Sequence, residues 1–226
     1  MSSEKHPTPP ILREGDGKTT RTEYTVQAVA VPKRPIFRFF KRLFDICFAL
    51  FGLLILLLPM CIIAICIRID SRGPAIYSQE RTGYKGKIFT LYKFRSMVSD
   101  AEKNGAVWAS ENDSRVTRVG KFLRSSRLDE IPQLLNILFG QMSLIGPRPE
   151  RPVFYEEFEG YIHGFSNRLA VKPGLTGWAQ VNGGYDLLPE EKVVYDMEYI
   201  KDYSLSMDVK CFFKTFSVVL GRKGAR

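Results

Sequence analysis

The chain has 226 residues, the length of one ordinary domain with room for a tail, and its composition of 45% hydrophobic and 25% charged residues is that of a protein with a core. Its formal net charge of +9 suits an anionic partner, whether nucleic acid, an acidic membrane or a phosphorylated substrate. Four cysteines without a CxxC pair argue against a disulfide framework or a zinc site, and two histidines exclude a histidine-rich metal site.

The first 33 residues are polar and contain several prolines, serines, threonines and lysines. Such a segment has little apolar surface to bury, so residues 1–33 are predicted to be a disordered tail. The segment does not resemble a signal peptide, because the apolar residues begin too late and no small-residue cleavage site accompanies them.

An apolar segment from Ile46 to Ile67 contains about 22 residues and no charged side chain. A helix of that length can cross the hydrocarbon layer of a bilayer, which is about 30 Å thick. We therefore predict that residues 34–72, the segment with its flanks, insert into a membrane.

Two features bear on whether this helix spans the membrane or re-enters it. Basic residues flank it on both sides, and basic flanks favour the cytoplasmic face, so a single span would place one cluster on the wrong side. Pro59 lies within the apolar segment, where a proline removes a backbone hydrogen bond and bends or breaks a helix. These features favour a re-entrant helix with its break at Pro59, and the alternative is a single-pass anchor.

The remaining chain, residues 73–226, has the character of a cytosolic domain. Short strands are predicted at Ala75–Ser78 and Lys87–Tyr92, with a turn at Gly83 and Gly86, and residues 98–114 suggest the start of a helix followed by a loop. Helices are predicted at Arg118–Ser125, Gln133–Phe139 and Glu190–Lys201. The fold class is therefore α+β and mainly helical.

The C-terminal segment has the periodicity of an amphipathic helix. Its apolar stripe consists of Val209, Phe212, Phe213, Phe216, Val219 and Leu220. Such a helix can pack on a core or lie at a membrane interface, and its sequence leaves both alternatives open.

The strongest candidate for chemistry is the adjacent pair Asp129 and Glu130. A row of basic residues at every third position, including Arg124, leads into the pair, and Pro132 begins a helix directly after it. A carboxylate pair before a helix is most often only a cap, and a basic row is usually a solvated face. Together, however, they suggest a site for phosphates and a metal.

Two further segments add cations to this candidate site. Arg148 lies between two prolines, which present its guanidinium rigidly, and arginine binds phosphate through two hydrogen bonds. Lys93 and Arg95 lie in a second basic segment.

Seven motifs follow one another in the chain. They are residues 41–45 (KRLFD), 79–83 (QERTG), 93–97 (KFRSM), 118–120 (RVG), 128–133 (LDEIPQ), 146–149 (GPRP) and 172–178 (KPGLTGW). In this order they resemble the bacterial sugar transferase family, the monotopic polyprenyl-phosphate phosphoglycosyl transferases, from about Lys41 to Ala225.

The resemblance implies transfer of a sugar 1-phosphate from a UDP-sugar to undecaprenyl phosphate, with release of UMP and the assistance of Mg²⁺. This is the first membrane step of exopolysaccharide, capsule or O-antigen synthesis, at the cytoplasmic face of the bacterial inner membrane. By position, Asp129 would be the nucleophile and a magnesium ligand, and Glu130 would assist the metal site or handle protons. Arg124, Arg148 and Lys93 would bind phosphate.

The resemblance also implies a re-entrant membrane helix, interfacial amphipathic helices and membrane lipids as partners. Leu58 departs from the serine that precedes the helix-breaking proline in some members. The chain lacks the additional N-terminal transmembrane bundle of larger relatives, so the expectation is a catalytic-core form.

The sequence leaves two alternatives to catalysis. A membrane-anchored nucleic-acid-binding protein would interleave aromatic residues with the basic row, and residues 118–127 contain only Phe122, so no nucleic acid partner is expected. A non-catalytic scaffold of a polysaccharide assembly complex is opposed by the intact Asp129–Glu130 pair. The sequence does not identify the sugar, and it leaves the oligomeric state open, a homo-oligomer included.

Overall fold

The computed structural model describes residues 22–101, 103, 113–183 and 187–220, without the side chains of Val219 and Leu220. In that part of the chain the helices are α1 (Pro35–Asp70), α2 (Arg118–Ser126), α3 (Gln133–Leu138), α4 (Pro152–Glu159), α5 (Trp178–Asn182), α6 (Pro189–Lys201) and α7 (Leu205–Leu220). The strands are β1 (Tyr24–Thr25), β2 (Ile76–Thr82), β3 (Ile88–Phe94), β4 (Ser143–Ile145), β5 (Ile162–His163) and β6 (Gly174–Thr176). The predicted mainly helical α+β class is confirmed.

Three two-stranded sheets connect the helices. Strands β2 and β3 form the predicted antiparallel hairpin, whereas β1 pairs with β5 and β4 pairs with β6 in parallel. Hairpin residues Phe89, Leu91 and Phe94 are buried in the core, so the hairpin is held firmly against the helices. Lys93 lies opposite Tyr77 in its register. The hairpin therefore holds Lys93 in place for the site described below.

Helix α1 packs one face against the rest of the domain along most of its length. Asp45, Ala49 and Ile67 are buried, and a methyl group on Gly52 would lie 3.0 Å from the Leu134 side chain. These positions are separated by multiples of about three to four residues, so they share one side of the helix. The sequence, apolar on every side, gave no sign of which face this would be.

The opposite face of α1 is exposed and apolar. It includes Phe51, Leu54, Ile55, Leu58, Ile62 and Ile65, each more than half exposed. The apolar window of α1 has a mean hydropathy of 3.0, and α1 is the single helix in the described chain long and apolar enough to cross a membrane. An apolar surface this large is not stable in water, so this face marks the chain as membrane-associated.

Both ends of α1 are attached to the domain that contains the hairpin. Near the N-terminal end, the Lys41 ammonium group donates to the Ile145 carbonyl at 3.0 Å and pairs with Asp208 at 2.6 Å. At the C-terminal end, Arg95 donates to the Ser71 carbonyl at 2.7 Å. Helix α1 thus lies along the domain and does not project away from it.

Pro59 does not interrupt α1, which continues through it to Asp70. The helical secondary structure is therefore continuous at Pro59, where the sequence predicted a break. Pro59 has no N–H group to donate to the carbonyl four residues earlier, and the helix tolerates this missing bond. Met60 and Ile63, which follow Pro59 in the helix, pack against the domain.

The predicted disordered tail, residues 1–33, is wrong for its last part. Residues 1–21 lie outside the described residues, but Tyr24 and Thr25 form β1 beside β5. Val29 and Val31 then pack against the core. The alternating apolar residues of this segment bury too much surface for it to remain free, and composition averaged over 33 residues obscured them.

Two further predictions meet the structure in part. Val98–Ala101 forms a turn where a helix start was expected, with the Ala101 N–H donating to the Val98 carbonyl at 3.2 Å. Most of the loop that the sequence predicts next, residues 102 and 104–112, lies outside the described residues. The predicted helices after it are confirmed, with boundaries shifted by one residue.

Of the two alternatives for the C-terminal helix, packing on the core is confirmed for one face of α7, and a position at the membrane interface stays a prediction. Met207 and Cys211 are buried against the core, and Phe212 packs against Phe44 and Phe48 of α1. Leu205, Val209, Phe213 and Phe216 are exposed. Helix α7 therefore continues the exposed apolar surface of α1, while a different face holds it to the domain.

We expect Asp45→Leu to weaken the attachment of α1 to the domain. The buried Asp45 carboxylate accepts from the Leu144 N–H at 2.8 Å and from the Ser143 hydroxyl at 3.1 Å. Leucine would leave both donors unsatisfied, a loss of about 2–4 kcal/mol, or about 5–15 °C in the midpoint of thermal unfolding. Asp45→Asn keeps one acceptor oxygen and should lose less. Equal midpoints for wild type and Asp45→Leu in one detergent would contradict this account.

Candidate active site

The Asp129–Glu130 pair lies in a single 3₁₀ turn, Leu128–Glu130, between α2 and α3. Thr117 caps the N-terminus of helix α2, where its hydroxyl accepts from the Gly120 N–H. Arg127 caps the C-terminus in a left-handed conformation with φ 57°. A left-handed residue reverses the chain direction sharply at a cost in strain, which often accompanies functional sites. The reversal presents both carboxylates to one cavity.

The cavity has a volume of about 330 Å³ and is lined mainly by polar and charged residues. It is bordered by the hairpin, α2, the 3₁₀ turn, α5 and the segment after β4 that contains Arg148, which we call the Arg148 segment. Among the described residues that line it, nine are basic and three are acidic. Such an excess of positive charge attracts anions with several negative charges, as phosphorylated substrates have.

Glu130 is held by two cations. Its Oε1 atom accepts from Arg148 at 2.5 Å and lies 3.5 Å from the Lys93 ammonium group. Burial by itself would raise the pKa of Glu130, but the positive charges of Arg148 and Lys93 outweigh burial and lower that pKa to about 2. Glu130 is therefore ionised at neutral pH, and its charge fixes the positions of two cations.

Asp129 differs from Glu130 because no side chain or backbone group of the described residues donates a hydrogen bond to its carboxylate. Within the described chain no hydrogen bond reaches its oxygens, although Lys93, Arg148 and Arg124 are near enough to act on its charge. Burial and the charge of Glu130 raise the pKa of Asp129 to about 6. At neutral pH the group is still mainly ionised, and its lone pairs are available to a metal or to an electrophile.

The predicted phosphate-binding residues reach the cavity from three different elements. Lys93 comes from β3, Arg124 from α2 and Arg148 from the segment after β4. The Arg124 Nε–H donates to the Ser96 hydroxyl at 2.9 Å, which orients the guanidinium. All the predicted site residues apart from Pro59 thus lie around one cavity.

The Arg148 segment is held from both sides. Arg81 of β2 donates to the Pro149 carbonyl at 3.1 Å, and Arg168 donates to the Arg148 carbonyl at 3.0 Å. Arg168 in turn pairs with Asp196 of α6 at 2.6 Å, with both side chains about 1% exposed. A buried ion pair therefore supports the backbone that presents Arg148.

Comparison with known proteins shows the family of the chain that contains this cavity. Residues 36–222 match the family described as bacterial sugar transferase. The chain belongs to the bacterial sugar transferase family.

Three curated relatives show the range of this family. A UDP-N-acetylgalactosamine-undecaprenyl-phosphate N-acetylgalactosaminephosphotransferase of Aeromonas hydrophila is 43% identical over 195 residues, covering 85% of this chain and 46% of the relative. A UDP-glucose:undecaprenyl-phosphate glucose-1-phosphate transferase of Escherichia coli (strain K12) is 42% identical, with coverages of 81% and 41%. An undecaprenyl-phosphate galactose phosphotransferase of Salmonella typhimurium is 40% identical, with coverages of 83% and 43%. The chain spans less than half the length of each of these three.

Not every basic residue that lines the cavity is available to a ligand there. Arg95 is buried, and its guanidinium donates to the carbonyl and the hydroxyl of Ser71 at the end of α1. Cations stabilise the carbonyl end of a helix, so part of this positive charge is used by α1. Of the two basic residues in the KFRSM motif, Lys93 therefore serves the site, whereas Arg95 stabilises the end of α1.

Three residues at this site were missed by sequence reasoning. Arg168 and Asp196 form the buried support of the Arg148 segment, and they are 28 positions apart and outside the seven motifs. Gln180 lines the cavity and lies just after the KPGLTGW motif, which was the one available signal. A lone glutamine carries no recognisable chemistry until its surroundings are known.

The donor set of the cavity fits a magnesium ion bound mainly through its substrates. In the described part of the chain, no group of three or more His, Cys, Asp or Glu residues is arranged to hold a metal. Mg²⁺, however, is commonly bound by one or two carboxylates together with substrate phosphates and water. The Asp129 carboxylate, with no hydrogen-bond donor occupying it, meets that requirement, whereas Glu130 is already engaged.

Proposed function

We propose that this bacterial sugar transferase is an enzyme that moves a sugar 1-phosphate from a UDP-sugar to undecaprenyl phosphate and releases UMP. The observation that carries the proposal is the ionised, unengaged Asp129 carboxylate in a cavity rich in cations, next to a helix with a membrane-facing surface. The three relatives, all named as undecaprenyl-phosphate sugar phosphotransferases, support the same reaction.

The proposed reaction has two steps. In the first, an Asp129 oxygen attacks the phosphorus next to the sugar, the bond to the bridging oxygen breaks, and UMP leaves with that oxygen. In the second, a phosphate oxygen of undecaprenyl phosphate attacks the same phosphorus, and the Asp129 carboxylate is released. The product is undecaprenyl diphosphate sugar. An aspartate suits this role because it is ionised near neutral pH and needs no base to activate it.

The cations of the cavity supply the remaining requirements. Arg148 and Lys93, held by Glu130, and Arg124, held by Ser96, would bind the donor diphosphate and stabilise charge on the transferred phosphoryl group. Mg²⁺, bound by Asp129 and the substrate phosphates, would neutralise further charge. Glu130 is thereby assigned a positioning role, since its low pKa makes it a poor carrier of protons.

A lipid acceptor requires the cavity to lie at the membrane surface, and the packing of α1 supports this arrangement. Contacts from Lys41 to Ser71 hold both ends of α1 against the same domain, so both ends would stay on one side of the bilayer. The proposed topology is therefore re-entrant in the sense that both ends of α1 lie on the cytoplasmic side. The helix itself is unbroken at Pro59, and its exposed apolar face is immersed in the cytoplasmic leaflet of the bacterial inner membrane.

The reaction is tested with purified protein in nanodiscs that contain undecaprenyl phosphate. We expect UMP release from at least one member of a panel that includes UDP-glucose, UDP-galactose and UDP-N-acetylgalactosamine. Multiple-turnover release should require undecaprenyl phosphate, and chelation of Mg²⁺ should stop it. The panel also identifies the sugar, which differs among the three relatives. Absence of release from any UDP-sugar would contradict the proposed reaction.

The topology is tested by single-cysteine labelling at the two ends of α1. In a variant without the four native cysteines, Lys33→Cys and Arg72→Cys place one thiol before the helix and one after it. An impermeant maleimide should label both only after the cells are opened. Labelling of one site in intact spheroplasts and of the other only after lysis would contradict the re-entrant arrangement and indicate a span.

A further inference from the structure

A second cavity lies between the membrane helix and the C-terminal helix. It has a volume of about 310 Å³ and is almost entirely apolar, with walls from α1, α3, α5, β6 and α7. Phe48 and Leu56 of α1 line it together with Phe212 and Val218 of α7. The exposed apolar surfaces of α1 and α7 border the same region, so the cavity opens where the chain meets lipid.

The apolar cavity and the cationic cavity adjoin each other. Three residues line both of them: Arg127, Glu130 and Gln180. The path from a hydrocarbon environment to the Asp129–Glu130 pair is therefore short, and it ends at a positive charge. An apolar cavity beside a positively charged one is complementary to a molecule that has an apolar chain and an anionic head group.

Gln180 provides independent evidence that a ligand belongs at the junction. Both polar atoms of its side-chain amide are buried, and neither has a hydrogen-bond partner among the described residues. A buried amide without partners is unfavourable, and buried polar groups in folded proteins are nearly always satisfied. An amide left unpaired where two cavities meet is explained if a bound molecule supplies its partner.

We infer that the apolar cavity binds the hydrocarbon nearest the phosphate of the polyprenyl acceptor, and that Gln180 and Arg127 bind this phosphate. The inference rests on the proposed function and extends it by separating an acceptor site from the donor site. The amide N–H groups of Gln180 donate to a phosphate oxygen, and Arg127 supplies charge. The acceptor phosphate is thereby held beside Asp129, where the second step of the reaction needs it.

Kinetics of Gln180→Met test the polar part of this site. Methionine keeps the length and removes both polar atoms. We expect the KM for undecaprenyl phosphate to rise about tenfold or more, the loss of a hydrogen bond to a charged group, while the KM for the UDP-sugar changes less than about twofold. The midpoint of thermal unfolding should stay level or rise, because an unsatisfied buried amide has been removed. A lowered midpoint, or a change confined to the UDP-sugar KM, would overturn the assignment.

Photo-crosslinking tests the apolar part without requiring turnover. The probe is a prenyl phosphate with a diazirine in its second isoprene unit, in nanodiscs of phosphatidylglycerol. Peptides of α5 and α7 should be labelled, and undecaprenyl phosphate should compete. Val218→Phe, which fills the cavity, should reduce labelling severalfold, whereas Val209→Phe on the exposed face of the same helix should not.

The outcomes separate this inference from the proposed function. Labelling on α5 and α7 in a protein that releases no UMP from any UDP-sugar would support the acceptor site and contradict the reaction. Labelling that falls equally in both valine variants, that maps to other elements, or that excess phospholipid without a prenyl chain suppresses as well as undecaprenyl phosphate does, would overturn the acceptor site.

Discussion

Asp129→Asn is expected to reduce UMP release at least about a thousandfold, as the loss of a catalytic nucleophile does in other enzymes. The amide has nearly the same shape as the carboxylate but does not attack phosphorus. In the wild type, mixing with the UDP-sugar and no acceptor should add one phosphosugar to the protein, on the peptide that contains Asp129. Intact-protein and peptide mass spectrometry should find that adduct in the wild type and not in Asp129→Asn.

Two controls exclude trivial explanations of that loss. Burial and the charge of Glu130 raise the pKa of Asp129 above its value in an unfolded chain, so the ionised group destabilises the fold at neutral pH. In buffer without Mg²⁺, Asp129→Asn should therefore unfold at the same temperature as the wild type or a higher one. Asp129→Glu retains a carboxylate in a displaced position and should recover only a small part of the rate. Turnover of Asp129→Asn near the wild-type rate would refute the nucleophile assignment.

Arg168→Met is expected to have the largest effect on stability. It leaves Asp196 as an uncompensated buried carboxylate and removes the donor to the Arg148 carbonyl. Breaking one partner of a buried pair typically costs about 3–5 kcal/mol. For a chain of this size that corresponds to a fall of about 10 °C or more in the midpoint of thermal unfolding.

The matched control for Arg168→Met is the double variant Arg168→Met with Asp196→Leu. Removing both charges also removes the desolvation penalty of the orphaned carboxylate, so the double variant should be more stable than Arg168→Met alone. Thermal unfolding of the three proteins in one detergent gives the comparison. A double variant less stable than the single one by the full additive amount would show that the two residues act independently.

The two predictions address different parts of one site. Asp129 is expected to matter for chemistry and not for folding, whereas Arg168 is expected to matter for folding and, through the Arg148 backbone, for the geometry of phosphate binding. Measuring both turnover and thermal unfolding for each variant separates these effects. Activity lost in Arg168→Met but regained in part by the double variant would indicate that the Arg148 segment needs packing more than it needs the ion pair itself.

The amino-acid sequence by itself determined the long apolar helix, the hairpin, the helices around Asp129 and the family. Each of these depends on signals between near neighbours, such as an unbroken apolar segment or the proline that begins α3. The short motifs also selected the site residues Lys93, Arg124, Asp129, Glu130 and Arg148, all of which meet at one cavity. The identity and spacing of residues close together in the sequence were sufficient for those conclusions.

Only the tertiary structure decided how these parts work together. Glu130 is engaged by Arg148 and Asp129 is not, a distinction that two adjacent carboxylates do not reveal in sequence. The Arg168–Asp196 pair, the unpaired amide of Gln180 and the packed face of α1 likewise depend on residues far apart in the chain. Contacts of that kind leave no periodicity in the sequence, because they arise from the close packing of whole elements.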